Sequence, residues 1–432
     1  IGNERKEMDQ PIQPRIMDRQ ARRAILLLAG SVMLMETGYG IVMPIFAKRL
    51  DELGAGVETL GYMAIAFAIG QLIMAPILGS LADRVGRRPV ILTALAGVAL
   101  ANLGFLLVNS SSGYVLIRMA QGAVTAGLLP ASISFVADAV PDTQRARWVG
   151  LLMGSYGAGF IFGPALGGFL YDQGGFAAPF TVSAILAAVG LMATLILVPE
   201  TRRQISPDKE PAPAIDRKLP DPRTWFNVDF RILPLLVLDF LEVSIFAFVE
   251  PQLAVYAYQG LHYTSSQFGL IVSLYGLSFV AGQFGLGRLS DRFGRRPLIV
   301  LGFIFKIIFY LGLTLANEFW LLVLAGVFGG VGGALISPAL SAAYLDLTRE
   351  TNRSRVMGLK ESAAAMGGIL GPIGVVIASQ WMPPLDIFRV AAGFTLFGVL
   401  LAFFALGCSR KNGAVRSGRP VRIGCYQRAA AD

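Results

Sequence analysis

Between two long apolar runs lies the charged segment GSLADRVGRRP, residues 79–89. A second copy, GRLSDRFGRRP, occupies residues 287–297, and Gly, Leu, Asp, Arg, Gly, Arg, Arg and Pro recur in it at the same places after an offset of 208 residues. A single copy would be typical of any short basic loop that orients a membrane protein. Two copies indicate a chain built from two related halves that use the same turn.

The residue types of this segment suit a tight turn. Gly86 permits a left-handed backbone that reverses the chain, and Gly79 permits the preceding helix to approach a neighbour closely. Asp83 is placed where a carboxylate can face a helix N-terminus or pair with a nearby arginine. Two interpretations remain open for both copies: a static loop that its arginines hold at the anionic membrane surface, or a conformational latch.

Composition indicates the broad class of protein. Of the 432 residues, 54% are hydrophobic and 15% are charged, whereas soluble domains carry about 25% charged residues. We therefore predict an all-α integral membrane protein. The net charge of +9 does not indicate nucleic-acid binding, because the basic residues are concentrated in short loops and tails between apolar runs.

The residues that most often carry catalysis or bind metals are few. The one histidine, His262, falls in a short loop, and the two cysteines, Cys408 and Cys425, fall near the C-terminus. The cysteines form no disulfide framework, and the apolar runs contain no set of metal ligands and no nucleophile–base pair. We therefore predict no cofactor, no metal site and no enzymatic activity.

Twelve apolar runs have the length of about twenty residues that a bilayer core requires. They cover residues 23–47, 57–82, 89–108, 113–137, 146–171, 177–198, 231–257, 264–287, 297–316, 319–344, 355–379 and 385–407. The same offset of 208 residues also relates Pro130 to Pro338 and Gly163-Pro164 to Gly371-Pro372. We therefore predict two six-helix bundles related by a pseudo-twofold axis, with a substrate cavity between them near the midplane.

The predicted bundles divide the chain into five regions. The N-terminal bundle covers residues 23–198 and the C-terminal bundle residues 231–407. Residues 199–230, which contain six prolines, are predicted to form a cytoplasmic linker, and residues 1–22 and 408–432 to form cytoplasmic tails. Basic residues crowd the tails and the loops after every second run, so both termini are predicted to be cytoplasmic, in a bacterial inner membrane.

Three segments together resemble a known family. The repeated charged segment resembles its signature in loops 2–3 and 8–9. RMAQG, residues 118–122, resembles a helix-4 motif whose arginine is linked to proton coupling, and GFIFGPALGG, residues 159–168, resembles a helix-5 motif associated with exporters. The chain thus resembles a transporter of the major facilitator superfamily and is similar to its twelve-helix drug:proton antiporters. The resemblance implies alternating access and proton-coupled export.

Intramembrane carboxylates are the candidate proton-coupling sites, since charge in a bilayer is costly. Glu36 lies midway along the first run, where it can bind a proton or a substrate cation, or serve as a hydrogen-bonded structural strut. Asp239, Glu242 and Glu250 fall within an arc of about 80° of the seventh run at 100° per residue, so this face is expected to line the cavity. Asp239 could instead reach a cytoplasmic loop, and Glu250-Pro251 resembles an acid–proline pair of related antiporters.

Arg118 is the candidate basic residue of the coupling site. It has no counterpart in the second half, where residue 326 is Gly. An arginine present in one half suits proton coupling, by stabilising a deprotonated carboxylate such as Glu36, while a bridge to backbone carbonyls is the structural alternative. Gln121 is its expected hydrogen-bonding neighbour. Lys306 receives no role, because it could either reach the membrane surface or pair with an acid.

Substrate contacts are expected from polar and aromatic residues near these charges. The candidate substrate-binding residues are Glu36, Tyr39, Gln121, Tyr156 and Glu250. Other aromatic residues of the runs could also stack on a lipophilic substrate, but most aromatic residues in membranes serve packing or lie at the interface, so these are not chosen as candidates; they include Phe160, Phe246, Tyr275 and Phe279.

Helix 5 is expected to pack closely against another helix. Its motif residues are Gly159, Gly163, Pro164, Gly167 and Gly168. Glycines spaced by four residues make a flat helix face, and we expect this face to meet the eighth run, in the other half. Its association with export comes from the resemblance alone.

Charged residues near the basic loops are candidate gating residues. Asp138 and Arg147 bracket loop 4–5 as Asp346 and Arg355 bracket loop 10–11. These residues could form ion-pair clusters that close an inner gate and break when the cavity faces inward, or they could pair statically. The full candidate set is Gly79, Asp83, Arg84, Gly86, Arg87, Asp138, Arg147, Gly287, Asp291, Arg292, Gly294, Arg295, Asp346 and Arg355.

The functional prediction is a proton-coupled exporter of a small lipophilic or cationic compound. Its expected partners are that substrate, protons and membrane lipid, and it is expected to act as a monomer. Alternatives on the same fold are an importer of a small metabolite and a lipid flippase; other classes are an intramembrane enzyme and a signalling or scaffold protein. Acidic rather than basic residues in the expected cavity argue against anionic substrates.

Overall fold

A computed structural model describes residues 19–42, 44–54, 56–198, 232–286, 293–315, 318–348 and 353–405. Within these ranges the regular structure is helical. The helices are α1 Arg19–Val42, α2 Ile45–Glu52, α3 Val57–Val85, α4 Arg87–Leu107, α5 Ser111–Thr125, α6 Leu128–Ala139, α7 Asp142–Gly174, α8 Ala177–Leu197, α9 Leu233–Val255, a π-helix Tyr256–Gly260, α10 Ser265–Leu286, α11 Arg295–Leu315, α12 Phe319–Leu347, α13 Arg353–Ala378 and α14 Pro384–Ala405. The predicted linker and both predicted tails lie almost entirely outside the described residues.

The helices confirm the predicted all-α membrane class. Among the described residues, eleven helical segments are long and apolar enough to cross a membrane, with α1 and α2 joined in one segment and α5 and α6 in another. The remaining predicted span coincides with α9, whose 23 residues include Asp239, Glu242 and Glu250. Each of the twelve predicted apolar runs therefore corresponds to a helix or to a pair of consecutive helices.

The two halves have separate hydrophobic cores and meet along two pairs of helices. Two clusters of buried apolar residues lie between residues 24 and 198, and two others lie between residues 232 and 402. Contacts between the halves are concentrated where α7 packs on α10 and where α3 packs on α13. Each half is thus a body with its own core, which the predicted bundle architecture requires.

The repeated charged segment forms a tight turn in both halves. Gly86 has a φ of 120° and Gly294 a φ of 85°, so both adopt the left-handed region in which L side chains are strained. Arg87 and Arg295, which open α4 and α11, then pair with acids on α6 and α12. The Nε–Oδ2 distance is 3.4 Å for Arg87 and Asp138 and 3.1 Å for Arg295 and Asp346. The same offset thus relates two ion pairs as well as two sequences.

Gly79 does not have the close packing that was predicted for it. A Cβ placed on this residue would have no atom within 4 Å, so no described neighbour makes the close approach that was expected there. Gly86, by contrast, has the positive φ that was expected of it in the turn. We call the end of the molecule that carries these turns the basic end, and the opposite end, where α2 lies, the far end.

Candidate functional site

A cavity of about 270 Å³ lies between the two halves. Residues of α1, α2, α3, α5 and α7 line one side, and residues of α9 to α13 line the other. Two of the lining residues are charged, Arg118 and Glu250. Since the rest of the wall is largely apolar and aromatic, these two charges define its chemistry.

Arg118 is fixed in the cavity wall by hydrogen bonds and by ring contacts. Its side chain donates to Gln121 Oε1 at 2.8 Å and to the Tyr39 hydroxyl at 2.9 Å. The guanidinium carbon lies 4.8 Å from the ring centroids of both Tyr39 and Phe67. Gly122 allows this arrangement, because a Cβ there would lie 2.2 Å from the carbonyl oxygen of Phe67. The expected bond between Arg118 and Gln121 is therefore present.

Glu250 faces Arg118 from the other half. Its Oε1 is buried and has no hydrogen-bond partner, although the charge of Arg118 is close enough to act on it. Pro251 follows at once and lacks a backbone N–H, so α9 loses one internal hydrogen bond here. The predicted acid–proline pair thus lies in the cavity wall, with a carboxylate oxygen that the protein leaves unpaired.

Glu36 is buried on α1 outside the cavity lining. It is 5% exposed on α1, it does not line the cavity, and within the described part of the chain it has no ion pair. Gly159 of α7 packs directly over it, since a Cβ on that glycine would lie 2.7 Å from the Glu36 Cβ. The charge of Glu36 acts on the hydroxyl group of Tyr156. In this conformation the charge of Arg118 acts on Glu250, and stabilisation of Glu36 by Arg118 stays a prediction.

Glu242 has a partner that the sequence left ambiguous. Lys306 Nζ lies 2.6 Å from Glu242 Oε1, and the Lys306 side chain is 4% exposed. The ammonium also lies 5.8 Å from the ring centroid of Phe246. Lys306 therefore pairs with an acid inside the C-terminal half rather than reaching the membrane surface.

Asp239 is buried near the basic end of α9. It is 7% exposed, the Tyr344 side chain lies beside it, and the charge of Lys360 acts on it. Its Oδ2 has no hydrogen-bond partner. The three acids of α9 thus have three different environments: Glu250 in the cavity, Glu242 with a lysine, and Asp239 beside a tyrosine.

Aromatic residues form much of the cavity wall, including several that were not chosen as candidates from the sequence. Phe246 and Tyr275 stack with ring centroids 5.7 Å apart and planes inclined by 28°, and Phe160 also lines the cavity. Tyr39 is in the wall as predicted, but Gln121 and Tyr156 are not. Helical spacing could have identified Phe246, because it lies four residues before Glu250 and so on the same face of α9.

The glycine face of α7 packs mainly on α1 of its own half, which corrects the predicted partner. A Cβ would lie 2.7 Å from Gly40 Cα if placed on Gly163, and 2.1 Å from the Ile41 carbonyl oxygen if placed on Gly167. Gly168, one residue on, is the member of the motif that meets α10, at Ser265. Pro164 also faces α10, where its carbonyl meets Gly269.

The candidate gating residues are only partly described. Gly287, Asp291 and Arg292 lie outside the described residues, and the side chains of Asp83 and Arg355 do too. Arg84 and Arg147 are exposed. The two ion pairs of Arg87 and Arg295 each join helices of one half, so they brace the turns against their own bundles.

The far end is closed by polar and apolar contacts between the halves. Asp172, near the end of α7, accepts hydrogen bonds from the backbone N–H groups of Ser265 and Ser266 at 3.1 and 2.8 Å and from the Ser266 hydroxyl at 2.6 Å. Beneath these bonds, Ala47 packs in one cluster with Ala257 and other residues of the second half. We call these contacts the far-end seal. None of these residues was predicted from the sequence to have a role.

Polar contacts around Lys48 extend the far-end seal. Lys48 Nζ lies 3.5 Å from Ser265 Oγ and 4.9 Å from the ring centroid of Tyr171. The Tyr258 hydroxyl donates to the carbonyl oxygen of Pro44 at 3.0 Å. Residues of both halves therefore cover the cavity on this side.

Comparison with known proteins places these features in a family. A sequence profile described as Major Facilitator Superfamily matches residues 25–250 and 232–423. The quinolone resistance protein NorA of Staphylococcus aureus (strain COL) is 23% identical over 382 residues, which are 88% of this chain and 95% of that protein. The class G tetracycline resistance protein of Vibrio anguillarum is 30% identical over 366 residues, or 81% of this chain and 88% of that protein.

A solved structure has the same fold. A bacterial homolog to the human lysosomal transporter Spinster, in its inward-facing and unoccupied conformation, superposes with a TM-score of 0.72 at 17% sequence identity. The superposition covers 90% of this chain and 97% of that one. At that identity the likeness concerns the fold alone, and it agrees with the predicted arrangement of two bundles.

Proposed function

Because the chain belongs to the Major Facilitator Superfamily, it is a transporter and not an enzyme, and we propose that it exports lipophilic small molecules in exchange for protons. The observation that carries this proposal is the buried, unpartnered Oε1 of Glu250 on the wall of a cavity shared by both halves. A carboxylate inside a membrane protein is costly and is usually functional. In this position it can bind either a proton or a cationic group of a ligand, and that competition is what exchange requires.

Export rather than import is supported by two observations. The relatives NorA and the class G protein are named for resistance to quinolones and to tetracycline, and removal of a toxic compound requires outward transport. The segment at residues 159–168 resembles a motif associated with exporters. An importer of metabolites and a lipid flippase have no comparable support.

The proposed cycle uses the far-end seal as its outer gate. With that gate closed, a lipophilic compound enters the cavity from the cytoplasm and lies against Glu250 and the aromatic wall. When the halves rock and the outer gate opens, a proton from outside takes the place of the compound on Glu250. Return of the cavity to the cytoplasm releases the proton, with Glu36 and Asp239 as further proton sites. The two basic turns act as braces during this rocking.

The organisation proposed for the chain follows the sequence prediction. Residues 23–198 and 231–407 are the two rocking bundles, residues 199–230 connect them on the cytoplasmic side, and both tails are cytoplasmic. The positive charge of the basic end supports this orientation. The protein acts as a monomer in a bacterial inner membrane.

Neutralisation of Glu250 tests the proposal. We expect Glu250→Gln in proteoliposomes to abolish the proton movement that a lipophilic cation induces under an imposed pH gradient, because the amide cannot alternate between proton and cation. Glu36→Gln is expected to weaken the same signal. Glu318→Gln is the matched control, since Glu318 is exposed before α12 and is not one of the cavity-lining residues.

The test has a clear contrary outcome. Proton movement in Glu250→Gln equal to that of the unchanged protein, at equal insertion into the vesicles, would remove Glu250 from the exchange. Accumulation of the compound in the direction of proton flow would contradict export and favour an importer.

A further inference from the structure

We propose that the cavity recognises amphoteric aromatic compounds, whose anionic group binds at Arg118 and whose cationic group binds at Glu250. This inference deepens the proposed function by naming the substrate class, and it rests on that function only in taking the cavity as the transport site. It changes the expectation of lipophilic or cationic substrates, which gave Arg118 a role in proton coupling and none in substrate binding.

The cavity wall contains one positive and one negative charge. Arg118 comes from the N-terminal half and Glu250 from the C-terminal half, and the other lining residues that the structure describes are uncharged. A ligand with a single charge leaves one of these two groups without a counter-charge in an apolar enclosure, which is unfavourable. A ligand with one charge of each sign compensates both groups.

The two protein charges leave room for such a ligand. Arg118 and Glu250 interact electrostatically, yet they do not form an ion pair within the described part of the chain. Glu250 Oε1 has no hydrogen-bond partner at all. A buried carboxylate oxygen that the protein does not satisfy requires a partner from elsewhere, and a ligand ammonium in the cavity is such a partner.

Arg118 is prepared to bind an anion. A guanidinium has five N–H donors, and the hydrogen bonds to Gln121 and Tyr39 use two of its nitrogens. These bonds, together with the rings of Tyr39 and Phe67 on which it stacks, hold the side chain in one orientation. Because the Arg118 side chain is already held in one conformation, binding of a carboxylate costs less conformational entropy.

The wall between the charges suits an aromatic body. Phe246 and Tyr275 are stacked on each other, and Phe160 and Phe309 line the same cavity. Aromatic faces attract flat apolar rings and also cations. At about 270 Å³ the cavity is near the lower limit of ligand pockets, about 300 Å³, so a body of two fused rings is appropriate.

Three probes on one naphthalene frame test the inference. They are 6-(aminomethyl)naphthalene-2-carboxylate, which is amphoteric, its methyl ester, which is cationic, and its N-acetyl derivative, which is anionic. Binding to the purified full chain in detergent is measured at neutral pH by calorimetry. We expect the amphoteric probe to bind about ten- to a hundredfold more tightly than either relative, the range for a hydrogen bond to a charged group.

Two variants test which residue binds each charged group of the amphoteric probe. Arg118→Gln should remove the advantage of the amphoteric probe over the ester, and Glu250→Gln should remove its advantage over the N-acetyl probe. Arg118→Lys, which keeps the charge, should keep part of the preference, and Glu318→Gln should change neither ratio. Because the ranking of probes by the unchanged protein is itself a test, misfolding of a variant does not protect the inference.

The outcomes separate this inference from the proposed function. Equal binding of the ester and the amphoteric probe by the unchanged protein would overturn the inference, even if proton exchange with a lipophilic cation is observed. Preference for the amphoteric probe without any proton exchange would support the substrate class and contradict the exchange mechanism. Equal loss of all three probes in an Arg118→Gln protein whose thermal unfolding matches that of the unchanged protein would also overturn the inference, since it assigns Arg118 to the anionic group.

Discussion

At the scale of single residues, the acids of α9 cannot be treated as equivalent. Glu250 has an oxygen without a partner, whereas Glu242 lies 2.6 Å from the ammonium of Lys306. A carboxylate oxygen that already accepts a hydrogen bond from a buried ammonium is engaged within the protein, whereas an oxygen without a partner is available to a proton or a ligand. Glu242 is therefore better suited to neutralising Lys306 than to exchanging protons, and this distinction narrows the proton-coupling candidates.

Removal of Lys306 tests that distinction. We expect Lys306→Met to lower the free energy of unfolding by about 3–5 kcal/mol, because it leaves a largely buried carboxylate unpaired. The double variant Lys306→Met with Glu242→Gln should recover most of the loss. Thermal unfolding in detergent measures both effects. A double variant no more stable than the single one would show that the pair contributes no coupling energy.

The limits of sequence reasoning are visible at these same residues. The cost of charge in a bilayer was enough to identify Glu36, Asp239 and Glu250 as unusual. That cost could not reveal that the charge of Arg118 acts on Glu250 rather than on a carboxylate of its own half. This interaction depends on how the two halves pack together. Lys306 was ambiguous for a similar reason, since its rotation toward α9 is a matter of packing.

At the scale of helices, the small residues of α7 set its distance from α1. A Cβ on Gly167 would lie 2.1 Å from the Ile41 carbonyl oxygen, while a Cβ on Gly154 of the same helix would meet nothing within 4 Å. Spacing by four residues predicted a closely packed face correctly. The predicted partner, α10, meets Gly168 and Pro164, whereas most of the glycines meet α1, because a glycine pattern contains no information about which neighbour approaches it.

Two alanine substitutions in α7 test this close packing. We expect Gly167→Ala to lower the free energy of unfolding by about 1–3 kcal/mol, since the added methyl group forces the helices apart. Gly154→Ala should instead be neutral or stabilising by up to about 1 kcal/mol, as in an unobstructed helix. The comparison is made by thermal unfolding in detergent. Equal effects of the two substitutions would contradict a packing role for the glycine face.

At the scale of the whole molecule, the polar contacts at the two ends differ in whether they cross between the halves. The braces at the basic end each lie within one half, as the pairs of Arg87 and Arg295 show. The far-end seal, by contrast, crosses between the halves through Asp172 and through the cluster around Ala257. Opening at the far end must therefore break specific bonds, whereas the braces can persist through the movement.

Loss of Asp172 should favour opening at the far end. We expect Asp172→Ala to increase the labelling rate of a cysteine at residue 257 by a membrane-impermeant thiol reagent, because Ala257 is 2% exposed while the seal is closed. By comparison with other helix caps, we expect the free energy of opening at the far end to fall by about 0.5–2 kcal/mol. Cys408 and Cys425 are replaced by Ser in the background. Asp172→Asn, which keeps one acceptor oxygen, should give a smaller increase, and unchanged labelling in both variants would exclude Asp172 from the seal.

Asp172 caps the N-terminus of α10. The first turn of this helix takes its acceptor, the carboxylate of Asp172, from the opposite half of the protein. Whenever the halves part at that end, the amide hydrogens of Ser265 and Ser266 lose their protein partner, and water must solvate them. Exchange of these amide hydrogens for deuterium therefore measures how often the far end opens, without a chemical probe attached to the protein.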